Sequence, residues 1–176
     1  EMLGLSGVKV TAAGLVHLKK FPKLAFLGIE GTALTDRGFE EVTKLDKLVS
    51  LSFANTSLTD KGLAHRGKLP KINELHLSWN KAITDAGLAE LKGLDSLLHL
   101  DLSGTNITDA GLVHLKELKS LENLDLTSTK ITDEGLVHLA AFPKLGSLSL
   151  SRTRVKDAGL LHLAGMRNLR GLHLGE

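Results

Sequence analysis

The sequence has no cysteine, no tyrosine and only three prolines, and aromatic residues fill 3% of its 176 positions. Without cysteine there are no disulfides, thiolate metal sites or cysteine nucleophiles. A cysteine-free chain survives in either redox environment, so the compartment stays open. No apolar run approaches the length of about 18 residues that marks a membrane span, and no basic segment followed by an apolar one opens the chain. Charge of one sign is scarce too: 22 Lys+Arg stand against 20 Asp+Glu, a formal net charge of +2. So small a surplus indicates neither nucleic acid nor a membrane surface as partner. What the chain does have is aliphatic bulk. Hydrophobic residues make up 42%, which excludes disorder, and 39 of them are leucines. A core built here must be leucine packed on leucine.

Those leucines recur. A T-D-x-G-L core appears as Thr35-Asp36-Arg37-Gly38-Phe39 and Thr59-Asp60-Lys61-Gly62-Leu63, with further copies from Thr84, Thr108 and Thr132. Diverged copies are Thr11-Ala12-Ala13-Gly14-Leu15 and Lys156-Asp157-Ala158-Gly159-Leu160. Their glycines, at 14, 38, 62, 87, 111, 135 and 159, lie 24 residues apart except for one interval of 25. The extra residue falls in the Asn80-Lys81-Ala82 turn. Self-similarity at such a period predicts a solenoid.

Each unit has two halves with different periods. In Leu121-Glu122-Asn123-Leu124-Asp125-Leu126, Leu124 and Leu126 share one face and Asn123 and Asp125 the other, which reads as a short strand. Equivalent pairs include Leu27/Ile29, Leu75/Leu77 and Leu148/Leu150. The other half, such as 109–118, spaces Leu112, Leu115 and Leu118 by three, one face of a short helix. Thr108 or Asp109 is placed to cap its first-turn amides. Pro22, Pro70 and Pro143 share one site just past the helix, where no backbone N–H is needed. Helices are expected to start near residues 12, 36, 60, 85, 109, 133 and 157, in a single domain of about seven repeats spanning 1–176.

One unit cannot bury both its strand face and its helix stripe, whereas a stack buries both. Strands spaced by about 4.8 Å form a parallel sheet. Helices are wider, so the stack curves with the sheet inside: an α/β solenoid, a curved horseshoe with the parallel sheet on its concave face and short helices on its convex face. The repeat, L-x-x-L-x-L-x-x-[T/N]-x-[I/L/V]-T-D-x-G-L-x-x-L over essentially the whole chain, resembles the leucine-rich-repeat family. Its 24-residue T-D-x-G-L form is similar to the cysteine-containing subclass and to bacterial repeat arrays. Where that subclass has Cys at the turn, this chain has Thr32, Thr56, Thr105, Thr129 and Thr153, with Asn80 once and Val8 once. The resemblance implies the fold and leaves function open. Neither end carries a polar capping segment, which predicts a piece of a larger protein or an array that pairs end to end.

Departures from the template mark the candidate site. Five histidines, His17, His65, His114, His138 and His162, share one helix-flank position and read as a copied structural feature. His76, His99 and His173 break the template and point outward from the sheet. One outward column runs Gly4, Gly28, Ser52, His76, Asp101, Asp125, Ser149, His173. Its neighbour runs Met2, Phe26, Ser50, Glu74, His99, Asn123, Ser147, Gly171. Trp79, the single tryptophan, follows the same strand as His76. Glu74, His76, Trp79, His99, Asp101, Asn123 and Asp125 are therefore the candidate binding residues, since an aromatic beside polar groups on a curved face suits a protein contact. Arg66 is a separate anomaly, a charge in a column otherwise occupied by Leu or Val.

The expected role is a non-enzymatic module that binds another protein through the concave face, with no cofactor and no resident metal. The alternative is a small polar ligand, glycan or divalent metal held by His76, His99, Asp101 and Asp125, or the substrate-recognition part of a larger enzyme. No Ser or Cys nucleophile sits in a recognisable elbow, which disfavours catalysis. With few aromatics to stack on bases, nucleic acid is disfavoured as well. End-to-end self-association remains a second kind of partnership. Asn55 and Asn106 match the glycosylation acceptor pattern, a match the Ser/Thr-rich turns produce readily.

Overall fold

The computed structural model describes residues 1–65 and 69–175, so Arg66 lies outside the described residues. Eight strands of three residues each are spaced by the repeat: β1 Met2–Gly4, β2 Phe26–Gly28, β3 Ser50–Ser52, β4 Glu74–His76, β5 His99–Asp101, β6 Asn123–Asp125, β7 Ser147–Ser149 and β8 Gly171–His173. They form one parallel sheet in chain order. The register is fixed by the repeat, with Leu51 beside Leu75, Leu75 beside Leu100 and Leu100 beside Leu124. The central leucine is buried in β2 to β7, half-buried in β1 (Leu3) and exposed in β8 (Leu172), and the flanking residues face outward.

The second layer consists of α1 Ala12–Leu15, α2 Asp36–Val42, α3 Asp60–Leu63, α4 Asp85–Ala89, α5 Asp109–Leu115 and α6 Asp157–Leu163. Among the described residues two segments are 3₁₀ rather than α: Val16–Lys20 continues α1, and Asp133–Ala141 replaces an α-helix between β6 and β7. Leucines spaced by three are compatible with either geometry, since three residues complete a 3₁₀ turn and i, i+3 positions also share an α-helical face. Leu112, Leu115, Leu136 and Leu139 meet the strand leucines in one continuous core. Phe39 and Phe53 supply its only ring pair among the described residues, edge to face at 5.3 Å.

Turn threonines close the strand ends. Thr105 Oγ1 donates to the Leu102 carbonyl and Thr129 Oγ1 to that of Leu126, each at 2.6 Å. Asn80 stands in the same column and does more. Its Nδ2 donates to the carbonyls of Leu77 at 3.0 Å and Phe53 at 2.8 Å, while its Oδ1 accepts from the Thr56 hydroxyl at 2.8 Å. The carboxamide thus satisfies buried groups in two successive repeats.

The T-D-x-G signature works between repeats, not within one. Asp36 Oδ1 accepts from the Thr59 amide and its Oδ2 from the Thr59 hydroxyl, both at 2.8 Å. Asp60 holds Thr84, Asp85 holds Thr108 and Asp109 holds Thr132 in the same two-pronged way. Asp133 reaches the Lys156 amide at 2.6 Å. The expectation that these residues cap their own helices is corrected accordingly. Thr108 makes no cap bond, and only Thr59 and Thr132 accept from a first-turn amide. A two-oxygen carboxylate satisfies two donors of the next repeat, which a local cap would leave unpaired. The signature glycine makes room for it: a Cβ added at Gly62, Gly87, Gly111 or Gly135 would overlap the preceding repeat's Asp Oδ1.

The first repeat supplies the comparison, since Ala12 stands where the later copies have Asp. Charge-assisted hydrogen bonds contribute roughly 1.5–3 kcal/mol each, less when partly exposed. Asp85→Ala is therefore expected to lower unfolding free energy by about 2 kcal/mol in urea titration. Ala12→Asp, which restores a carboxylate opposite Thr35, is expected to raise it by about 1 kcal/mol. If Ala12→Asp leaves the midpoint unchanged while Asp85→Ala lowers it only as much as Asp157→Ala, the carboxylate does not clamp repeats together.

Candidate functional site

Parallel pairing turns the outward strand positions into columns. Glu74 lies beside His99, which lies beside Asn123; His76 lies beside Asp101, which lies beside Asp125. All six side chains are partly buried, because each is packed between neighbours from the adjacent repeats. Asn123 Nδ2 approaches His99 Nδ1 to 2.5 Å. Asp101 Oδ1 accepts from the Ser103 amide at 2.9 Å and Asp125 Oδ1 from the Thr127 amide at 2.8 Å. These bonds to the chain two residues on fix the carboxylates in place. His76 Nδ1 is 3.9 Å from Asp101 Oδ2, an ion-pair contact longer than a direct hydrogen bond.

Electrostatics reinforce that pair. The Asp101 carboxylate, aided by Glu74 and Glu30, raises the His76 imidazole above its ordinary value despite partial burial. Burial pushes the Asp101 carboxyl up, yet polar contacts with His76, Ser103 and Ser78 outweigh it and hold it low. Folding thus favours both charged forms. His76 contributes stability fully below about pH 6.5 and loses it as pH rises through its folded value. Asp101 contributes above about pH 4 and loses it on acidification through its own folded value. The pair therefore stabilises most between those limits.

Trp79 is not part of this cluster. It occupies a turn column, Gly7, Gly31, Asn55, Trp79, Gly104, Ser128 and Arg152, in which every residue has a positive φ. At φ 60° a bulky side chain is strained, by roughly 1–2 kcal/mol. Its ring lies over Gly104, where an added Cβ would come within 2.5 Å of it, and it remains 49% exposed.

Two hollows mark the sheet face. The smaller lies over β4–β7 and is lined by His76, His99, Asp101, Asn123, Asp125 and Ser149 among others. The larger, about 750 Å³, lies over β1–β5 and shares His76, Asp101 and Glu74 with the cluster. It adds residues the sequence reading passed over: Met2 and Phe26 at its rim, Ser52, and Glu30. Glu30 is held below the usual carboxylate range by the hydroxyls of Ser52 and Ser6. The missed signal was a third outward column, Ser6, Glu30, Ala54, Ser78, Ser103, Thr127, just past each strand. Among the described residues, no three His, Asp or Glu side chains converge to hold a metal ion. The helix-flank histidines 17, 65, 114 and 162 are exposed on the opposite layer, with His138 partly buried. Asn106 is tied by its Nδ2 to the Lys81 carbonyl at 2.7 Å.

The leucine-rich-repeat family profile matches residues 68–92, 95–116 and 117–140, three successive units of the array. The three matched units are leucine-rich repeats. The repeat array is similar in fold to the crystal structure of an internalin C2 from Listeria monocytogenes, with a TM-score of 0.70 and 23% identity. That match covers 98% of this chain and 80% of the internalin chain. No curated protein matches the sequence. In all, 189 solved chains match the array, so the likeness specifies a fold shared by many proteins and not a partner.

Two measurements check this geometry. By NMR titration, His76 is expected to titrate above 6.5 and to fall in Asp101→Asn, whose burial remains without the charge; an unmoved value would show that Asp101 does not govern it. Gly31→Ala, at a positive-φ position with open space, is expected to cost about 1 kcal/mol. Gly104→Ala should cost more and shift the emission of the single tryptophan, because the methyl displaces its ring. Equal costs with unchanged emission would contradict the ring's position over Gly104.

Proposed function

We propose that this array is a non-enzymatic interaction module that binds another protein through its sheet face, with Glu74, His76, His99, Asp101, Asn123 and Asp125 as contacts. The observation that carries the reading is their state before binding. Six polar side chains from three adjacent strands are partly buried and held in register by parallel pairing, and all but Glu74 are hydrogen-bonded or ion-paired in place. Such groups have little side-chain entropy left to lose on association, and that loss is a principal cost of binding. A rigid surface of about this extent, with no nucleophile positioned in it, suits recognition better than chemistry. Trp79 serves as a contact at the edge of the face, since about half of the residue is exposed.

A second reading concerns the ends. Met2 and Val8 at one end, and Leu161 and Leu174 at the other, are exposed apolar side chains. A second copy stacked end to end would cover them, and its signature is a sedimentation coefficient that rises with concentration and is lowered by Leu161→Glu.

The principal reading is tested by comparing proteins retained by immobilised wild-type chain with those retained by His76→Ala/Asp101→Ala and by the opposite-layer control His114→Ala/His162→Ala. The sheet-face variant is expected to lose partners by tenfold or more, about 1.4 kcal/mol, while remaining folded at the assay temperature by circular dichroism. Partners lost equally in the control, or kept by the sheet-face variant, would overturn the assignment.

A further inference from the structure

The larger hollow has a composition that specifies what can fill it. Its floor is small, with Gly4, Gly28 and Ser52 leaving the backbone of three strands open. Part of its rim is apolar: Met2 is 79% and Phe26 39% exposed, values that leave the thioether and the ring uncovered. Its lining also carries two carboxylates, Glu30 and Glu74. The three outward columns of the sheet carry Glu30, Glu74, Asp101 and Asp125 and no Lys or Arg at all, although the chain as a whole has a net charge of +2. Every lysine and arginine is placed elsewhere. Among the described residues, the only cation paired with these carboxylates is the His76 ring, and its raised titration registers Asp101, Glu74 and Glu30 together. The space, about 750 Å³, accommodates two or three side chains, not a folded domain.

We propose that the hollow over β1–β5 receives a basic segment of the partner protein, a lysine or arginine lying between Glu30 and Glu74 with an adjacent apolar side chain against Met2 and Phe26. This rests on the reading that the sheet face binds a protein, and it names the partner's chemistry. The apolar neighbour gains by covering Phe26 and Met2. The cation gains from the Glu74 carboxylate and from that of Glu30, which the hydroxyls of Ser6 and Ser52 now solvate. A guanidinium fits better than an ammonium, since it lies flat against an aromatic ring and bonds a carboxylate in parallel. An acidic segment is repelled by four like charges, so the same surface rejects as well as selects.

The test uses a random peptide display library selected against the purified chain. Peptides with Arg or Lys beside Leu, Met or Phe are expected to be enriched. Their binding should weaken about tenfold in Glu30→Gln/Glu74→Gln, fall with added salt, and weaken in Phe26→Ser, while Asp46→Asn on the opposite layer leaves it unchanged. Peptides that bind the sheet face, as shown by loss in His76→Ala/Asp101→Ala, but lack basic residues would overturn this proposal and leave the interaction reading standing. Acidic or uncharged winners insensitive to Glu30 and Glu74 would also overturn it. No sheet-face-dependent peptide at all would count against both.

Discussion

The array depends on one contact repeated along its length: an aspartate that reaches forward into the next unit. A 24-residue unit with three strand residues and a helix of one or two turns has no stability of its own. Apolar burial between units is large but non-directional, and leucine against leucine tolerates sliding. The carboxylate supplies direction. It accepts the amide and hydroxyl of one particular threonine, at 2.6–2.8 Å in Asp85 and Asp109, and it fits only because the glycine three residues beyond that threonine has no Cβ. Thr, Asp and Gly are thus three parts of one joint, divided between neighbouring repeats.

That joint governs the face on the other side of the molecule. Once the repeats are held in register, each strand places its outward residues beside those of the next, and columns follow with no further specification. The outward residues bear no core duty, so they can differ from unit to unit at little cost in stability. The chain uses this freedom unevenly. Glycine and serine occupy much of β1–β3 and β7, whereas the middle strands carry histidine, aspartate, glutamate and asparagine. The result is a small-floored hollow that opens toward an acidic, partly imidazole-lined wall, all of it fixed before any partner arrives.

Much of this could be read from the sequence, for a reason particular to repeats. A three-residue strand is too short to recognise alone, but eight copies at a fixed interval make the alternation unmistakable, and the column order of Glu74, His76, His99, Asp101, Asn123 and Asp125 follows from the interval itself. The remainder was hidden by distance along the chain. Asp109 looks like a local cap because Thr132 is 23 residues away, and only the stacked structure brings them together. Trp79 looks like part of the polar cluster because it follows the same strand as His76, yet its backbone sits in a left-handed turn and its ring lies over the following repeat's Gly104. Glu30 escaped notice because it lies one residue beyond the strand leucine pair, in a third column that continues the period-two alternation past the end of the three-residue strand. The 3₁₀ segment at Asp133–Ala141 was ambiguous in principle, since leucines spaced by three fit either helix.

The most direct test of the joint is amide hydrogen exchange measured residue by residue in the native state. The account predicts slow exchange at the Thr59, Thr84, Thr108 and Thr132 amides, each bonded to a carboxylate of the preceding unit, and fast exchange at Thr35, which faces Ala12. Protection at Thr35 equal to that of the other four, or exchange at those four as fast as at exposed turn amides, would contradict it.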